Sequence, residues 1–130
     1  MWGFEKLTLE TTSSDGHNVL LDEDLPYNTK KDERIVVPKG ADSDGASVPK
    51  FLWNLFPPFG SYWRAALLHD WLYRHTKRPK AECDLLLLEA MESCNVGRMK
   101  RETIYLAVKW FGGQAFKECR RRQDETVQEG

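Results

Sequence analysis

Long apolar runs are missing from this chain of 130 residues. Stretches such as Leu85 to Leu88 fall far short of the roughly 18 residues that cross a bilayer, so no transmembrane helix is expected. The opening Met1-Trp2-Gly3-Phe4-Glu5-Lys6 lacks a basic segment followed by an apolar one, and no secretory signal peptide is expected. An excess of one charge is missing too. Lys and Arg number 19 against 20 Asp and Glu, a net charge of −1, which argues against a protein that coats nucleic acid. Cysteine is scarce: Cys83, Cys94 and Cys119 form no CxxC pair, so a structural zinc site is not expected. An odd count without a signal peptide points to free thiols in a reducing compartment, with Cys83 as a small buried filler.

What the chain does have is apolar and aromatic content. Hydrophobic residues make up 41% and aromatics 12%, with five tryptophans, which is too much for a disordered chain. The length suits one domain. Charge is uneven, with a net of −4 over residues 1–60 and +3 over 61–130. The surplus in the second half reads as solvated helix faces, with a basic face as the alternative, and the sequence leaves contact with a membrane surface open.

Two periodicities divide the chain. Leu7, Leu9 and Thr11 alternate with Thr8 and Glu10 as in a half-buried strand. Ser13-Ser14-Asp15-Gly16 is a turn signal, Val19-Leu20-Leu21 a second strand, and Pro26 with Asn28-Thr29-Lys30 a break. Arg34-Ile35-Val36-Val37 is a third strand, stopped by Pro38-Lys39-Gly40. Strands so closely joined should form an antiparallel meander.

A polar connector over 40–47 leads to helices. Ser47 is a good N-cap for a short helix of about 48–56, stopped by Pro57-Pro58. Further helices are expected over 61–75 or 76, 80–93 and 98–111, with a short last one over 114–122. Asn95-Val96-Gly97 and Gly112-Gly113 provide the breaks. The expectation is a single α+β domain over residues 1–122: strands at about 4–38, helices at 48–122, then a frayed polar tail at 123–130.

The densest chemistry lies in His69-Asp70-Trp71-Leu72-Tyr73. His69 and Tyr73 share a helix face at i and i+4, with Asp70 turned about 100° away. A short linker should pack the next helix antiparallel, which brings Asp84 opposite His69 or Tyr73. A carboxylate on imidazole fixes its tautomer and leaves the other ring nitrogen to take a proton from water, and Asp70 could hold a hard cation. The same residues can equally form a buried network that satisfies its own hydrogen bonds and sets helix register.

In the connector, Asp44 reads as a metal ligand or a turn residue, and Ser47 as a nucleophile or the helix cap, the cap being favoured. Trp53, Phe56, Phe59, Tyr62 and Trp63 read as core or as the wall of a pocket, and Gly60 could let backbone approach a ligand. Arg120-Arg121-Arg122 reads as a basic end complementing the dipole of the last helix.

Several strings resemble domain-of-unknown-function family 1353, a family of mostly phage and prophage proteins. They are Val36-Val37-Pro38-Lys39-Gly40, Asp44-Gly45-Ala46-Ser47-Val48-Pro49, Pro57-Pro58-Phe59-Gly60, Arg64-Ala65-Ala66 and His69-Asp70-Trp71-Leu72-Tyr73. Asp84, Ala90-Met91, Tyr105 and Phe111-Gly112-Gly113 continue the likeness. It covers about residues 34–115. It implies a phage or prophage origin, phage structural or host proteins as partners, and a location in the host cytoplasm or the virion. It implies no activity.

A local likeness is to the active-site helices of phospholipases A2, carried by His69-Asp70-x-x-Tyr73 and Cys83-Asp84. It implies His69 as the base that activates water, Asp70 as a calcium ligand, and Tyr73 with Asp84 as the pair orienting His69. The calcium loop of that family is glycine-rich, whereas Pro57-Pro58-Phe59-Gly60-Ser61 has one glycine.

Two functional expectations follow. A calcium-assisted ester hydrolase requires a solvent-reachable His69. A non-catalytic virion, tail or host-directed binding protein goes with a sealed His69 and a large unfolding penalty when His69 or Asp84 is replaced.

Overall fold

The computed structural model describes residues 2–5, 11–13, 19–43 and 61–129, with side chains over 2–5, 21–41 and 64–123. Among the described residues six strands come first: β1 (Gly3–Phe4), β2 (Thr11–Ser13), β3 (Val19–Leu21), β4 (Leu25–Asn28), β5 (Arg34–Val37) and β6 (Asp42–Ser43). Four helices follow among them: α1 (Ser61–His75), α2 (Lys80–Ser93), α3 (Arg98–Phe111) and α4 (Gly113–Glu129). The fold is α+β, as the order of periodicities indicated. The expected helix at 48–56 and the first strand's residues 7–10 lie outside the described residues.

The strand pairs among the described residues are antiparallel, but the strands divide into two three-stranded sheets, β1-β4-β5 and β2-β3-β6, instead of one meander. The expected break at Pro26 is corrected to strand β4, which lies between β1 and β5. Its position explains why a proline is tolerated. The Pro26 carbonyl accepts from Glu5 N at 3.1 Å, and the side of the strand that lacks an N–H faces β1 where that strand ends. The polar connector is corrected at its start, since Asp42 and Ser43 pair with Leu20 and Val19.

The β4–β5 hairpin closes through Thr29. Its Oγ1 accepts from Lys31 N and Glu33 N, and Asp32 takes a left-handed φ of 65°. Buried Leu25, Tyr27, Ile35 and Val37 carry this sheet into the core. Tyr27 OH donates to Glu89 of α2 at 2.6 Å, and Lys30 N donates to the same carboxylate at 3.0 Å, which clips the hairpin to the helices.

In the helical half α2 packs against both α1 and α3, and α4 against the same two helices. Ala65, Leu67, Leu68 and Leu72 of α1, Leu87, Ala90 and Met91 of α2, and Ile104 and Val108 of α3 are buried in one core. α2 ends as expected, with Asn95 in the left-handed region at φ 62°. Gly112 is required at the α3–α4 corner, because a Cβ there would lie 2.5 Å from the Val108 carbonyl oxygen. The last helix does not stop at 122: α4 runs through the expected tail to Glu129. The three cysteines are free thiols, with Cys83 and Cys94 buried.

Candidate functional site

Lys80 opens α2 just after Pro79, so its side chain sits one turn before Asp84 on the same face. On α1, His69 and Tyr73 occupy the facing stripe among Ala65, Ala66, Leu68 and Leu72. The linker of four residues between these helices enforces the antiparallel packing that brings the two faces together.

Asp84 is the hub. His69 Nε2 donates to its Oδ1 at 2.8 Å and Tyr73 OH donates to the same oxygen at 2.6 Å. Lys80 Nζ donates to Oδ2 at 2.7 Å. The expected His69–Asp84 contact across the helix pair is therefore present. The same ammonium donates to the carbonyls of Val108 at 3.0 Å and Lys109 at 3.2 Å, the exposed C-terminal turn of α3. Its three protons thus face three acceptors. The rings of His69 and Tyr73 lie 4.2 Å apart, and Phe116 of α4 meets Tyr73 edge-on at 5.1 Å.

Burial by itself would raise the Asp84 carboxyl pKa. The hydrogen bonds from His69, Lys80 and Tyr73 outweigh it and hold the group below its ordinary value. Tyr73 is driven the other way, far above a free phenol, by burial and then by its bond to the Asp84 carboxylate. Tyr73 is thus a neutral donor and Asp84 an ionised acceptor. An ionised Asp84 accepts from His69 Nε2 and so keeps a proton on the nitrogen that faces it.

His69 is 0% exposed and Tyr73 1%, with Asp84 at 2%. The His69 ring is thus out of reach of solvent, against Tyr73 and Asp84, the arrangement that goes with the second of the two functional expectations. Asp70 is buried as well, at 4%, and contributes no bond to the Asp84 hub. Its charge acts instead on Tyr73 and on Cys119 of α4.

The described residues do not by themselves make a calcium site. Among them no three His, Cys, Asp or Glu side chains converge on a metal position, and Asp84 has both oxygens occupied by donors. Asp44, Ser47 and Gly60 lie outside the described residues, as do the side chains of Trp53, Phe56, Phe59, Tyr62 and Trp63.

Lys80 and Arg120 were not legible as members of this region. Lys80 reads in sequence as an ordinary helix start, although its i, i+4 spacing to Asp84 is a usable signal. Arg120 does not complement the dipole of its own helix. It reaches across to the end of α1, where Nε donates to Tyr73 O at 2.9 Å and Nη2 to Leu72 O at 3.3 Å. A further bond to the Arg78 carbonyl ties the linker down, and Gln123 Nε2 donates to Arg74 O at 2.9 Å and Thr76 O at 3.2 Å. α4 thereby supplies donors to the C-terminal end of α1, whose last carbonyls have no N–H partner within the helix. Cys83 sits beneath this clasp, and burial pushes its thiol up to about 11, so it is an inert filler and not a nucleophile.

The geometry defines an α+β protein built around a buried His–Asp–Tyr–Lys network on a helix pair. The chain belongs to the family described as protein of unknown function (DUF1353), whose model matches residues 19–108. That span runs from β3 almost to the end of α3 and contains all four network residues, while Arg120 and the rest of α4 lie beyond it. No curated protein and no solved structure matches the chain.

Proposed function

We propose that this chain is a phage or prophage binding protein, a virion, tail or host-directed component, in which the His69–Asp84–Tyr73–Lys80 network holds α1, α2 and α3 in register. The observation that carries the reading is the complete burial of His69. A general base must reach water or substrate, and this imidazole is enclosed. Its partners are satisfied by one another, with each Asp84 oxygen bonded and the Lys80 ammonium saturated. Such a network specifies one packing of the helices and is costly to break.

The test is urea unfolding of His69→Ala and Asp84→Asn. Each should lose roughly 3–5 kcal/mol, the cost of stranding one partner of a buried pair. Variants that unfold with wild-type stability would remove the structural role.

One observation favours a second reading, a hydrolase of esters. Asp84 Oδ1 takes both the His69 Nε2–H and the Tyr73 hydroxyl, which is the orienting arrangement implied by the likeness to phospholipases A2. His69 Nδ1 would then take the proton from water, with calcium near Asp70 polarising the ester carbonyl. The experiment is an ester and phospholipid hydrolysis assay of wild type and His69→Asn with millimolar calcium. Turnover lost in a folded His69→Asn supports this reading, and absence of turnover in wild type removes it.

A further inference from the structure

An apolar stripe runs along the solvent side of α3. Met99 is 84% exposed, Leu106 41% and Trp110 69%. Their spacing of seven and four residues places them within roughly 40° of one another on a helix of 3.6 residues per turn. Ile104 and Val108, both fully buried, lie on the opposite side and fasten the helix to the core. α3 is therefore apolar on two faces, and only one of them is used in folding.

The flanks of the exposed stripe are basic. α3 carries four cations, Arg98, Lys100, Arg101 and Lys109, against the single carboxylate of Glu102. Arg98, Lys100 and Lys109 are exposed. Glu102 is engaged by Arg98 at 3.2 Å, so the field beside Met99 and Trp110 is set mainly by Lys100 and Lys109. An indole, a thioether and a leucine between lysines match the interface of an anionic bilayer, where apolar groups enter the acyl boundary and ammonium groups meet the headgroups. The stripe is also held rigidly. Lys80 binds the carbonyls of Val108 and Lys109, the turn that presents Trp110, so little order remains to be imposed on docking.

We propose that the outer face of α3, with Met99, Leu106 and Trp110 between Lys100 and Lys109, is a docking surface for an anionic lipid bilayer. This names a partner for the binding reading above, but its test does not pass through that reading: vesicle binding is scored apart from the unfolding of His69 variants, and the surface stands with or without turnover at His69.

The experiment is co-sedimentation of the full chain with vesicles of phosphatidylcholine alone and of phosphatidylcholine mixed with phosphatidylglycerol. Binding should favour the anionic vesicles and weaken with added salt, since the lysine contribution is screened. Met99→Ala with Trp110→Ala should weaken partitioning by at least about tenfold, from lost apolar burial. Lys100→Glu with Lys109→Glu should abolish the preference for phosphatidylglycerol. All four positions are exposed, and unchanged thermal unfolding would show that the fold is retained. Equal binding of wild type and Met99→Ala/Trp110→Ala, or no binding to either vesicle, overturns the proposal. A concentration-dependent dimer abolished by Trp110→Ala, without vesicle binding, would assign the stripe to a second copy of this chain and overturn it equally.

Discussion

Lys80 and Asp84 stand one turn apart on α2 with Nζ and Oδ2 2.7 Å apart, and this pair joins three helices. Asp84 reaches back to α1 through His69 and Tyr73, and Lys80 reaches forward to the last turn of α3. Replacing Lys80 by Met should strand one oxygen of the buried Asp84 carboxylate and detach α2 from the Val108 and Lys109 carbonyls, the first of which keeps its bond from Gly112 N. An expected loss of about 2 kcal/mol follows from the usual cost of unsatisfied buried acceptors. Combined with Asp84→Asn, the two losses should add to clearly less than their sum, because one interaction is removed twice. Urea unfolding of the two single variants and the double variant measures both.

Acid should weaken the fold through Asp84. Its folded pKa lies below the ordinary 3.8, so the unfolded chain binds the proton more readily. The stability it contributes is fully present above the ordinary value and is lost as pH falls through the depressed folded value. Unfolding free energies of wild type and Asp84→Asn, measured from neutral pH downward, should converge below about pH 4. A constant gap across that range would contradict the depressed pKa.

Tyr73→Phe isolates one bond of the network. The ring contacts with His69 and Phe116 survive and only the hydroxyl's bond to Oδ1 is lost. A hydrogen bond to a charged group contributes about 1.5–3 kcal/mol, so thermal unfolding should show a smaller loss than for Asp84→Asn.

Arg120→Ala should loosen the α1–α2 linker. Three carbonyls, of Leu72, Tyr73 and Arg78, lose their guanidinium donor. Limited proteolysis should cut more readily between His75 and Lys80, while Lys117→Ala, at an exposed position of the same helix, should leave the rate near wild type.

Calcium separates the two functional readings. A ligand at 100 times its dissociation constant stabilises by about 2.7 kcal/mol, a readily visible thermal shift. The binding reading expects equal unfolding of wild type with and without millimolar calcium. A shift in wild type that disappears in Asp70→Asn would establish the metal site and move the hydrolase reading ahead.

Helix boundaries were the most readable part of the chain. α2 and α3 begin and end beside Pro79, whose ring fixes its backbone, and Asn95, Gly97 and Gly112, which take helix-ending geometries at little cost, and these are local effects. The strands were less readable. β1 and β6 have two residues each, too short for alternation to register, and Pro26 is admitted to β4 only because its partner strand stops beside it. Arg120 was misassigned for a related reason: its acceptors are more than forty residues away, and nothing in Arg120-Arg121-Arg122 distinguishes the arginine that turns inward.

The sequence by itself determined the α+β order, the helix stops and the meeting of His69 with Asp84. Helical spacing and a linker of a few residues allow little else. Tertiary structure alone decided that this meeting is sealed from solvent, that Lys80 spends its charge on Asp84 and α3, and that Met99, Leu106 and Trp110 are left outside. Burial belongs to the packing of whole helices against one another. A periodic pattern on one helix can show which residues share a face, but not which of two apolar faces the rest of the chain will cover.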